Sequence, residues 1–277
     1  MLLVEDFSVF PADAFSSIFR ISVIMFDFLF RKREALPLPY KRDIHCHLIP
    51  GVDDGSALMT MSLDYLKALH EMGQERVVIT PHHAYPNYMN DTAGIQPLYD
   101  KLVARLKAQG TPIVCEGFSF EYRMDFTFRQ LLSQSHYEQA GAALVPFLGN
   151  HLLVECPWHE PDYPVEELIA QVAAAGYHPI MAHPERYDYW AVENRAYYDR
   201  LKKHGVDFQC NLLSFAGYYG EEVRKAALWL LRKGYVNFLG SDLHNDHQIH
   251  VMRQFLRSGK YADIYHDLVR CCGNDRL

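Results

Sequence analysis

Two histidines spaced two residues apart, followed by a turn that carries two aspartates, constrain this chain more than any other stretch. The run Asp43-Ile44-His45-Cys46-His47 is followed closely by Gly51-Val52-Asp53-Asp54-Gly55. Alternate residues of a strand point to the same side, so the spacing predicts that His45 and His47 project together. The glycine-bounded turn places two carboxylates just beyond the strand. Imidazoles and carboxylates close together favour a divalent metal, so the sequence predicts a metal site here.

A helix-to-strand unit recurs along the rest of the chain. In each unit an amphipathic stretch ends at a glycine and an apolar stretch follows; these glycines are Gly73, Gly110, Gly176, Gly205 and Gly234. Glycine just past a helix is the favoured left-handed cap, and continuous apolar strands are typical of a parallel sheet buried on both faces. The strands expected in this way are 76–80, 112–115, 178–182, 206–210 and 235–239, with two more beginning at 44 and 152. The repeat predicts one α/β domain, built as a βα barrel.

Almost every predicted strand ends in a side chain that can bind a metal, and chemistry collects at the carboxyl ends of barrel strands. These side chains are His45, His47, His82, His83, Glu116, Glu121, Glu155, His183, Asn211, Asp242 and His244. A single histidine at such a place would more often be hydrogen-bonded or exposed. Coincidence at seven strand ends is implausible, and Asp242 and His244 repeat the spacing of the first histidine pair. The pattern leaves open whether Asp53 or Asp54 is a ligand and whether His83 takes part.

Charge and cysteine content exclude several classes of function. The net charge of −7 argues against non-specific binding of nucleic acid, which needs a basic surface. The six cysteines form no C-x-x-C pair and no disulfide framework, so a reducing cytoplasm is the expected location. The apolar stretch 18–30 is too short to span a bilayer and lacks a signal-peptide cleavage site.

Met25 is expected to be the natural start, so residues 1–24 would be an upstream extension within a leader of residues 1–40. A phenylalanine-rich and then basic segment at the membrane surface is the alternative interpretation of this region. The barrel itself is expected to occupy residues 41–277.

The motifs at the strand ends closely resemble the PHP (polymerase and histidinol phosphatase) superfamily, and within it the bacterial capsule-associated tyrosine-protein phosphatases of the CpsB/YwqE type. The markers are D-I-H-C-H-L-I-P-G-V-D-D-G (43–55), V-I-T-P-H (78–82), E-Y-R-M-D (121–125), L-V-E (153–155), A-H-P-E-R-Y (182–187) and G-S-D-L-H-N (240–245). The resemblance covers residues 41–270. It implies a single domain with the PHP fold, a distorted (β/α)7 TIM-like barrel.

The resemblance also implies a site for three metal ions. Its ligands, matched residue by residue, are His45, His47, Asp54, His82, Glu121, Glu155, His183, Asp242 and His244. Asp54 is preferred over Asp53 because it directly precedes Gly55, and Asp53 would then support the ligands or the turn. Glu121 is preferred over Glu116 because Tyr-x-x-Asp follows it, and it is the glutamate expected to bridge two ions. Manganese is the first choice of divalent ion, with iron, zinc or cobalt as alternatives.

The reaction implied by the resemblance is hydrolysis of phosphotyrosine in proteins by a metal-activated hydroxide. Arg186 matches the phosphate-binding arginine of the family, and His47 and Asp242 are the other residues expected to act in catalysis. This branch can carry a further arginine soon after the last Asp-x-His; here Arg253 or His247 would have to replace it. No cysteine nucleophile is expected, because the Cys-x5-Arg loop of thiol phosphatases is absent.

The implied partner is a phosphotyrosine protein, namely a membrane-associated tyrosine kinase that controls export of capsular polysaccharide or exopolysaccharide. The phosphatase would act on it from the cytoplasm, and a homo-oligomer is left open. Two alternatives remain at this stage. A phosphatase of small metabolites, of the histidinol-phosphatase type, would use the same metals, whereas a regulatory protein would hold the metals without turnover.

Overall fold

The computed structural model describes residues 34–135, 144–159, 163–191 and 195–277. Residues 35–277 form one compact unit, and residues 1–34 are a separate unit of which only Glu34 is described. The upstream extension expected at residues 1–24 therefore lies outside the described residues. Within them, no helix is both long and apolar enough to cross a membrane.

Strands alternate with helices along this unit. The strands are β1 (Arg42–Asp43), β2 (Arg76–Ile79), β3 (His82–Ala84), β4 (Tyr88–Met89), β5 (Val114–Phe118), β6 (Glu121–Arg123), β7 (His151–Glu155), β8 (His178–Ala182), β9 (Asp207–Asn211) and β10 (Val236–Gly240). The α-helices are α1 (Met59–Glu71), α2 (Thr92–Gln109), α3 (Phe126–Ser135), α4 (Val165–Ala174), α5 (Asp188–Ala191), α6 (Ala196–Lys203), α7 (Leu212–Ala216), α8 (Glu221–Lys233), α9 (Asp246–Phe255) and α10 (Gly259–Cys271). Two 3₁₀ turns, Pro184–Arg186 and Asn274–Arg276, complete the set of described elements.

The strands pair into two sheets. A seven-stranded sheet has the order β10-β9-β8-β7-β6-β3-β4, and a three-stranded sheet has the order β1-β2-β5. Every pair is parallel except the hairpin of β3 and β4. The fold is therefore mixed α/β with mainly parallel strands, as the repeated helix-to-strand unit predicted.

Backbone hydrogen bonds beyond the strand ends connect the two sheets at two places. Beyond the paired ends of β2 and β5, Ser119 N donates to Ile79 O within the small sheet, and Glu121 N of β6 in the larger sheet donates to Pro81 O, which follows β2, each at 3.0 Å. At the β1 edge of the small sheet, Asp242 N donates to His45 O at 2.8 Å, and a parallel bridge pairs Cys46 with Leu243. These bonds place the segments that follow β1, β2 and β10 beside one another.

The side chain of Asn274 makes a second connection between β1 and β10. Its Nδ2 donates to Arg42 O at 2.9 Å and to Leu239 O at 2.7 Å, and its Oδ1 accepts from Leu239 N at 2.9 Å. The side chain is completely buried, so one amide satisfies backbone groups of two strands that lie nearly 200 positions apart in sequence.

The helix ends follow the predicted glycine pattern. Gly110 and Gly234 cap α2 and α8 in the left-handed conformation, both with φ of 71°. A residue with a Cβ atom adopts this conformation only at an energetic cost, so glycine there ends the helix and redirects the chain into the next strand.

Several strand boundaries differ from the prediction. The strand expected at 112–115 lies at Val114–Phe118, and β3, β4 and β6 are short strands that the apolar pattern did not indicate. The opening strand ends at Asp43, before the histidine pair. The reason lies in the Asp43 side chain, whose Oδ1 accepts hydrogen bonds from His45 N and Ser241 N, both at 3.2 Å. In a regular sheet these backbone N–H groups would instead donate to carbonyl oxygens of a neighbouring strand.

Candidate metal centre

The histidines and carboxylates that follow the strands converge on a cavity of about 300 Å³. Their side chains form four groups; in each group, one possible ligand atom from every residue lies within 4.8 Å of those from the others. The groups are His47-Asp54-His82-His244, His45-His47-Glu121, His45-His183-Asp242 and His82-Glu121-Glu155. In the part of the chain that the structure describes, these groups contain the nine residues named from the sequence and no others. Four of the nine belong to two groups each, an arrangement suited to several neighbouring ions.

Glu121, the first residue of β6, lies at the centre of these groups. Its Oε2 is 3.3 Å from Nε2 of His45 and 3.0 Å from Nδ1 of His82, and its Oε1 is 2.8 Å from Nε2 of His183. Burial favours the neutral carboxyl, but the three surrounding histidines outweigh it and hold the pKa of Glu121 well below its usual value. The carboxylate is therefore ionised and faces imidazoles on both of its oxygens.

Several buried polar atoms at this centre make no hydrogen bond of good geometry with the described residues, although Nδ1 of His82 and Oε2 of Glu121 are 3.0 Å apart. They are Oε2 of Glu121, Oε2 of Glu155, Nδ1 of His82 and Nδ1 of His183. Buried polar atoms are nearly always paired, because an unpaired one costs about 1–3 kcal/mol. Carboxylate oxygens and imidazole nitrogens that converge without partners are ligands suited to a divalent cation, so these residues fit a metal site.

Hydrogen bonds on the far side of the histidine rings orient the first histidine pair. Nδ1 of His45 lies 2.7 Å from Oε1 of Gln209, and Nδ1 of His47 lies 2.8 Å from Oδ2 of Asp53. Both partners are acceptors, so each Nδ1 carries the proton and each Nε2 is free to bind a metal. The two Nε2 atoms are 3.2 Å apart.

Asp53 and Asp54 occupy different positions although they are adjacent in sequence. The Asp53 side chain is completely buried, and it also accepts from His82 N at 3.1 Å. Burial would raise the pKa of Asp53, but the His47 ring beside it lowers the value to about 2. Asp54 is 56% exposed, and its Oδ1 lies 3.5 Å from Nε2 of His82 and 3.7 Å from Nε2 of His244. Asp54 thus faces the cavity, whereas Asp53 is bonded to His47 and to the backbone of His82.

The turn that carries these aspartates requires the glycine that directly follows them. A Cβ atom at Gly55 would lie 2.3 Å from His47 O and 2.5 Å from His47 Cβ, well inside contact distance. Ser56 N donates to the same His47 O at 3.0 Å. The chain therefore folds back tightly against His47, which brings both aspartates to the histidines.

His183 and Asp242 follow β8 and β10 with an unusual backbone. Their φ angles are 34° and 49°, in the left-handed region that residues with a Cβ atom rarely adopt. Such strain is typical of residues that the surrounding structure holds in place for function. Oδ1 of Asp242 lies 3.3 Å from Nε2 of His45, and Oδ2 accepts from Asn211 Nδ2 at 2.6 Å.

His244 is held at the start of α9 by a capping box. The Asn245 side chain accepts from Gln248 N at 3.1 Å, and Oε1 of Gln248 accepts from Asn245 N and from His244 N, the latter at 2.6 Å. The Asn-x-x-Gln sequence explains this local fold, because the two side chains satisfy donors at the helix start. The His244 ring stacks on His47 with a centroid distance of 4.0 Å.

Arg186 reaches the cavity from the 3₁₀ turn after β8. Its Nη1 donates to Oδ2 of Asp242 at 2.8 Å, and its guanidinium lies 4.6 Å from the Trp158 ring and 4.2 Å from the Tyr219 ring. The neighbouring Glu185 is buried and accepts from Asn211 N and Ser214 Oγ, so it is not the hydrogen-bond partner of Arg186. Arg186 is therefore fixed on the cavity wall by a carboxylate and two aromatic rings.

Neither residue expected to replace the second arginine lines the cavity. Nη2 of Arg253 donates to Glu71 at 2.7 Å between α9 and α1, and His247 is exposed with its ring near Tyr218. The cavity contains a different arginine, Arg123 of β6. A sequence signal for it existed, since Arg123 follows Glu121 at the two-residue spacing that places both on one side of a strand.

Other candidates from the sequence lie outside the cluster. Glu116 pairs with Arg42, whose Nε is 2.5 Å from its Oε2. Nδ1 of His83 lies 2.7 Å from Asn90 O, and His83 belongs to none of the four groups. Cys46 is buried with its Sγ 3.6 Å from Val78 O, on the opposite side from the flanking histidines as predicted.

Gln209, which contacts His45, was not predicted. The sequence did contain a signal for it, because Gln209 lies two residues before Asn211 and so points to the same side of the strand.

Comparisons with known proteins agree with this geometry. A family model described as capsular polysaccharide synthesis, CpsB/CapC, matches residues 41–254. The chain is 31% identical over 209 residues to tyrosine-protein phosphatase YwqE of Bacillus subtilis (strain 168), covering 73% of this chain and 77% of that protein. It is 26% identical over 238 residues to the putative tyrosine-protein phosphatase CapC of Staphylococcus aureus, covering 85% and 89%.

A solved structure is similar over most of its length. It is described among the crystal structures of YwqE from Bacillus subtilis and CpsB from Streptococcus pneumoniae, unique metal-dependent tyrosine phosphatases. The TM-score is 0.66 at 26% identity, and the match covers 83% of this chain and 95% of that one.

Proposed function

This chain belongs to the CpsB/CapC family of capsular polysaccharide synthesis, and from that premise we propose that it is a metal-dependent protein-tyrosine phosphatase. The observation that carries the proposal is the convergence of nine histidines and carboxylates beside the guanidinium of Arg186. Several divalent cations next to a planar guanidinium form a site suited to a phosphate monoester dianion.

The proposed fold is the distorted (β/α)7 barrel of the PHP superfamily, occupying residues 41–277 after a leader of residues 1–40. Its support is the pair of backbone connections between the two sheets, from Glu121 to Pro81 at one place and from Asp242 to His45 at the other. Side chains that follow the strands would then share one rim, where barrel enzymes keep their catalytic residues.

Three divalent ions are proposed, with manganese first and iron, zinc or cobalt as alternatives. The nine residues of the cluster would hold them, and Glu121 would bridge two ions because it belongs to two of the four groups. Bound divalent cations supply Lewis acidity, which lowers the pKa of water towards neutrality and offsets negative charge on phosphate oxygens.

The side chains around the cluster have distinct proposed tasks. Arg186 would donate to phosphate oxygens, and its contacts with Asp242, Trp158 and Tyr219 keep the guanidinium oriented before substrate arrives. His47 and Asp242 would act together at the reacting phosphate, since Nε2 of His47 lies 3.5 Å from Oδ1 of Asp242 and Asp242 lines the cavity. The leaving tyrosyl oxygen has a pKa of about 10, so it needs less protonation than an alkoxide would.

The proposed substrate is a phosphotyrosine protein, and within capsule synthesis a membrane-associated tyrosine kinase of polysaccharide export. The proposed location is the cytoplasm. In its support, all six cysteines are free thiols, as expected of a protein kept in a reducing compartment.

The test compares hydrolysis of a phosphotyrosine peptide, a phosphoserine peptide and histidinol phosphate. Each substrate is given to metal-loaded protein, to chelator-stripped protein and to the His45→Ala variant, with His266→Ala, an exposed histidine of α10, as the matched control. We expect metal-dependent turnover confined to phosphotyrosine, abolished in His45→Ala and unchanged in His266→Ala. Preference for histidinol phosphate would favour the small-metabolite alternative, and full metal occupancy without any turnover would favour the regulatory one.

A further inference from the structure

We propose that Arg123 is a second phosphate-binding residue of this site and that it takes the place of the arginine expected after the last Asp-x-His. The inference rests on the proposed phosphatase function. Arg123 ends β6, two residues after Glu121, so the strand directs both side chains to the same side. Tyr122 between them points the other way, where its hydroxyl accepts from Val145 N at 2.8 Å and its ring packs against Phe128.

A carboxylate of the metal cluster anchors Arg123. The pairing of β6 with β7 sets Arg123 opposite Glu155, and Nε of Arg123 donates to Oε1 of Glu155 at 3.2 Å. Arg186 is anchored in the same manner, through Nη1, on Asp242 at 2.8 Å. Each guanidinium therefore uses one of its nitrogens to hold its position beside a proposed metal ligand.

The rest of the Arg123 guanidinium is free for a ligand. Among the described residues, neither of its terminal nitrogens donates a hydrogen bond, because the guanidinium donates only from Nε, to Glu155. The terminal nitrogens of arginine present a planar pair of donors that matches two phosphate oxygens. An anchored guanidinium with unpaired terminal donors loses little side-chain entropy when an anion binds.

Arg123 and Arg186 are equally placed with respect to solvent and the cavity. Each side chain is 19% exposed, and both line the same cavity of about 300 Å³. No other lysine or arginine in the described part of the chain lines it. A phosphate monoester has three terminal oxygens and two negative charges, so two guanidiniums at one cavity suit it better than one.

A purely structural role for Arg123 is the competing explanation, in which its charge only neutralises Glu155. The two roles differ in what fails when the side chain is removed. Loss of a phosphate contact weakens anion binding while the metals stay in place. Loss of a support for Glu155 releases metal.

The test titrates inorganic phosphate into the metal-loaded full-length chain by calorimetry and measures bound metal by elemental analysis. The variants are Arg123→Ala and Arg123→Lys, with Arg253→Ala as the matched control because that arginine binds Glu71 away from the cavity. We expect Arg123→Ala to raise the phosphate dissociation constant about 10- to 100-fold, as for loss of charge-assisted hydrogen bonds, with unchanged metal content. Arg123→Lys should restore part of the affinity, and Arg253→Ala should match the wild-type protein.

Kinetics with the phosphotyrosine peptide give a second readout. A phosphate contact predicts that KM rises in Arg123→Ala, with the metal content intact. Unchanged phosphate affinity would overturn the proposal, and so would a loss of affinity that appears only together with a loss of metal. If the wild-type chain binds phosphate through Arg123 but does not hydrolyse the peptide, the phosphatase function fails and the Arg123 contact stands. If the wild-type chain hydrolyses the peptide and the phosphate dissociation constant is the same in Arg123→Ala, only this inference fails.

Discussion

Oδ2 of Asp53 lies 2.8 Å from Nδ1 of His47, on the opposite side of the ring from the Nε2 atom that faces His45. The next residue, Asp54, instead directs its carboxylate towards His82 and His244. Two adjacent acids thus serve one candidate site in two ways, one by orienting the His47 ring and one by facing the cavity. The difference can be measured, because only Asp53 is fully buried.

Substitution of the two aspartates should separate metal affinity from stability. Asp53→Ala removes the acceptor of His82 N and Gly55 N in a buried place, so the free energy of unfolding should fall by about 1–3 kcal/mol. Its metal affinity should fall about 10- to 100-fold, as for partners that orient ligands. Asp54→Ala should also weaken metal binding, but its unfolding energy in the metal-free state should change by less than about 0.5 kcal/mol. Chemical denaturation of both variants without metal, followed by metal titration, checks this; equal destabilisation would contradict it.

Gln209→Ala should weaken metal binding without removing any proposed ligand. Gln209 accepts from His45 and donates to Asn211 at 2.9 Å, and Asn211 in turn donates to Asp242. Loss of this series of hydrogen bonds allows the His45 ring to change tautomer and orientation. Metal affinity should therefore fall about 10- to 100-fold. Competition with a metal-binding dye measures the change. The control is Gln171→Ala on the exposed side of α4, which should leave affinity unaltered.

The cysteines should be unreactive in the native protein. Burial raises the pKa of Cys115 to about 12, and it raises that of the fully buried Cys46 well above the usual value. Thiolate is the reactive form, so iodoacetamide at about pH 8 should neither modify the native chain nor reduce phosphatase activity. Mass spectrometry of the intact protein checks this, with the denatured chain and its six cysteines as the positive control. Inactivation by a single adduct would point to a thiol mechanism instead.

Asp43 should give the metal-free protein a pH-dependent stability. Complete burial raises its pKa from 3.8 to about 6, so between these values the folded state holds a proton that the unfolded state has released. Stability contributed at this residue is therefore greatest below about pH 4 and falls by about 3 kcal/mol as pH rises past 6.

The variant Asp43→Asn isolates this effect. Both backbone donors bind Oδ1, which asparagine retains, whereas the titrating charge is lost. Relative to the wild-type protein, the variant should gain about 3 kcal/mol between about pH 4 and pH 6.5 in denaturant unfolding. A constant difference across that range would show that Asp43 stays ionised in the folded chain.

The positions of the candidate ligands were predictable where a strict spacing forces them. His45 and His47, or Asp242 and His244, are pairs whose two-residue separation sends both side chains to one side of an extended segment. Glycines such as Gly110 indicated where helices end, because the positive φ of a left-handed helix cap strongly favours glycine. The nine residues that the structure brings together are those the motifs indicated.

What escaped prediction depends on contacts between distant segments. The strand β6 has three residues and includes two charged ones, so no apolar pattern marked it, and Arg123 went unnoticed. Gln209 acquires its role only because β9 lies beside the segment that holds His45. Arg253 was chosen by its distance from His244 along the chain, but the helix α9 turns its side chain outward to Glu71. Sequence spacing determines the side to which a side chain points within one strand or helix. It does not determine which residues of other elements that side chain will contact.

The amide of Asn274 has a consequence for how the protein is made. It bonds to Arg42 in the first strand and to Leu239 in the last, so both must be present before that connection can form. A nascent chain still on the ribosome, with residues 240–274 in the exit tunnel, lacks this closure and also lacks Asp242 and His244. We therefore expect metal loading to wait for this segment, and stalled ribosomal complexes of increasing length should acquire metal only after Asn274 has emerged.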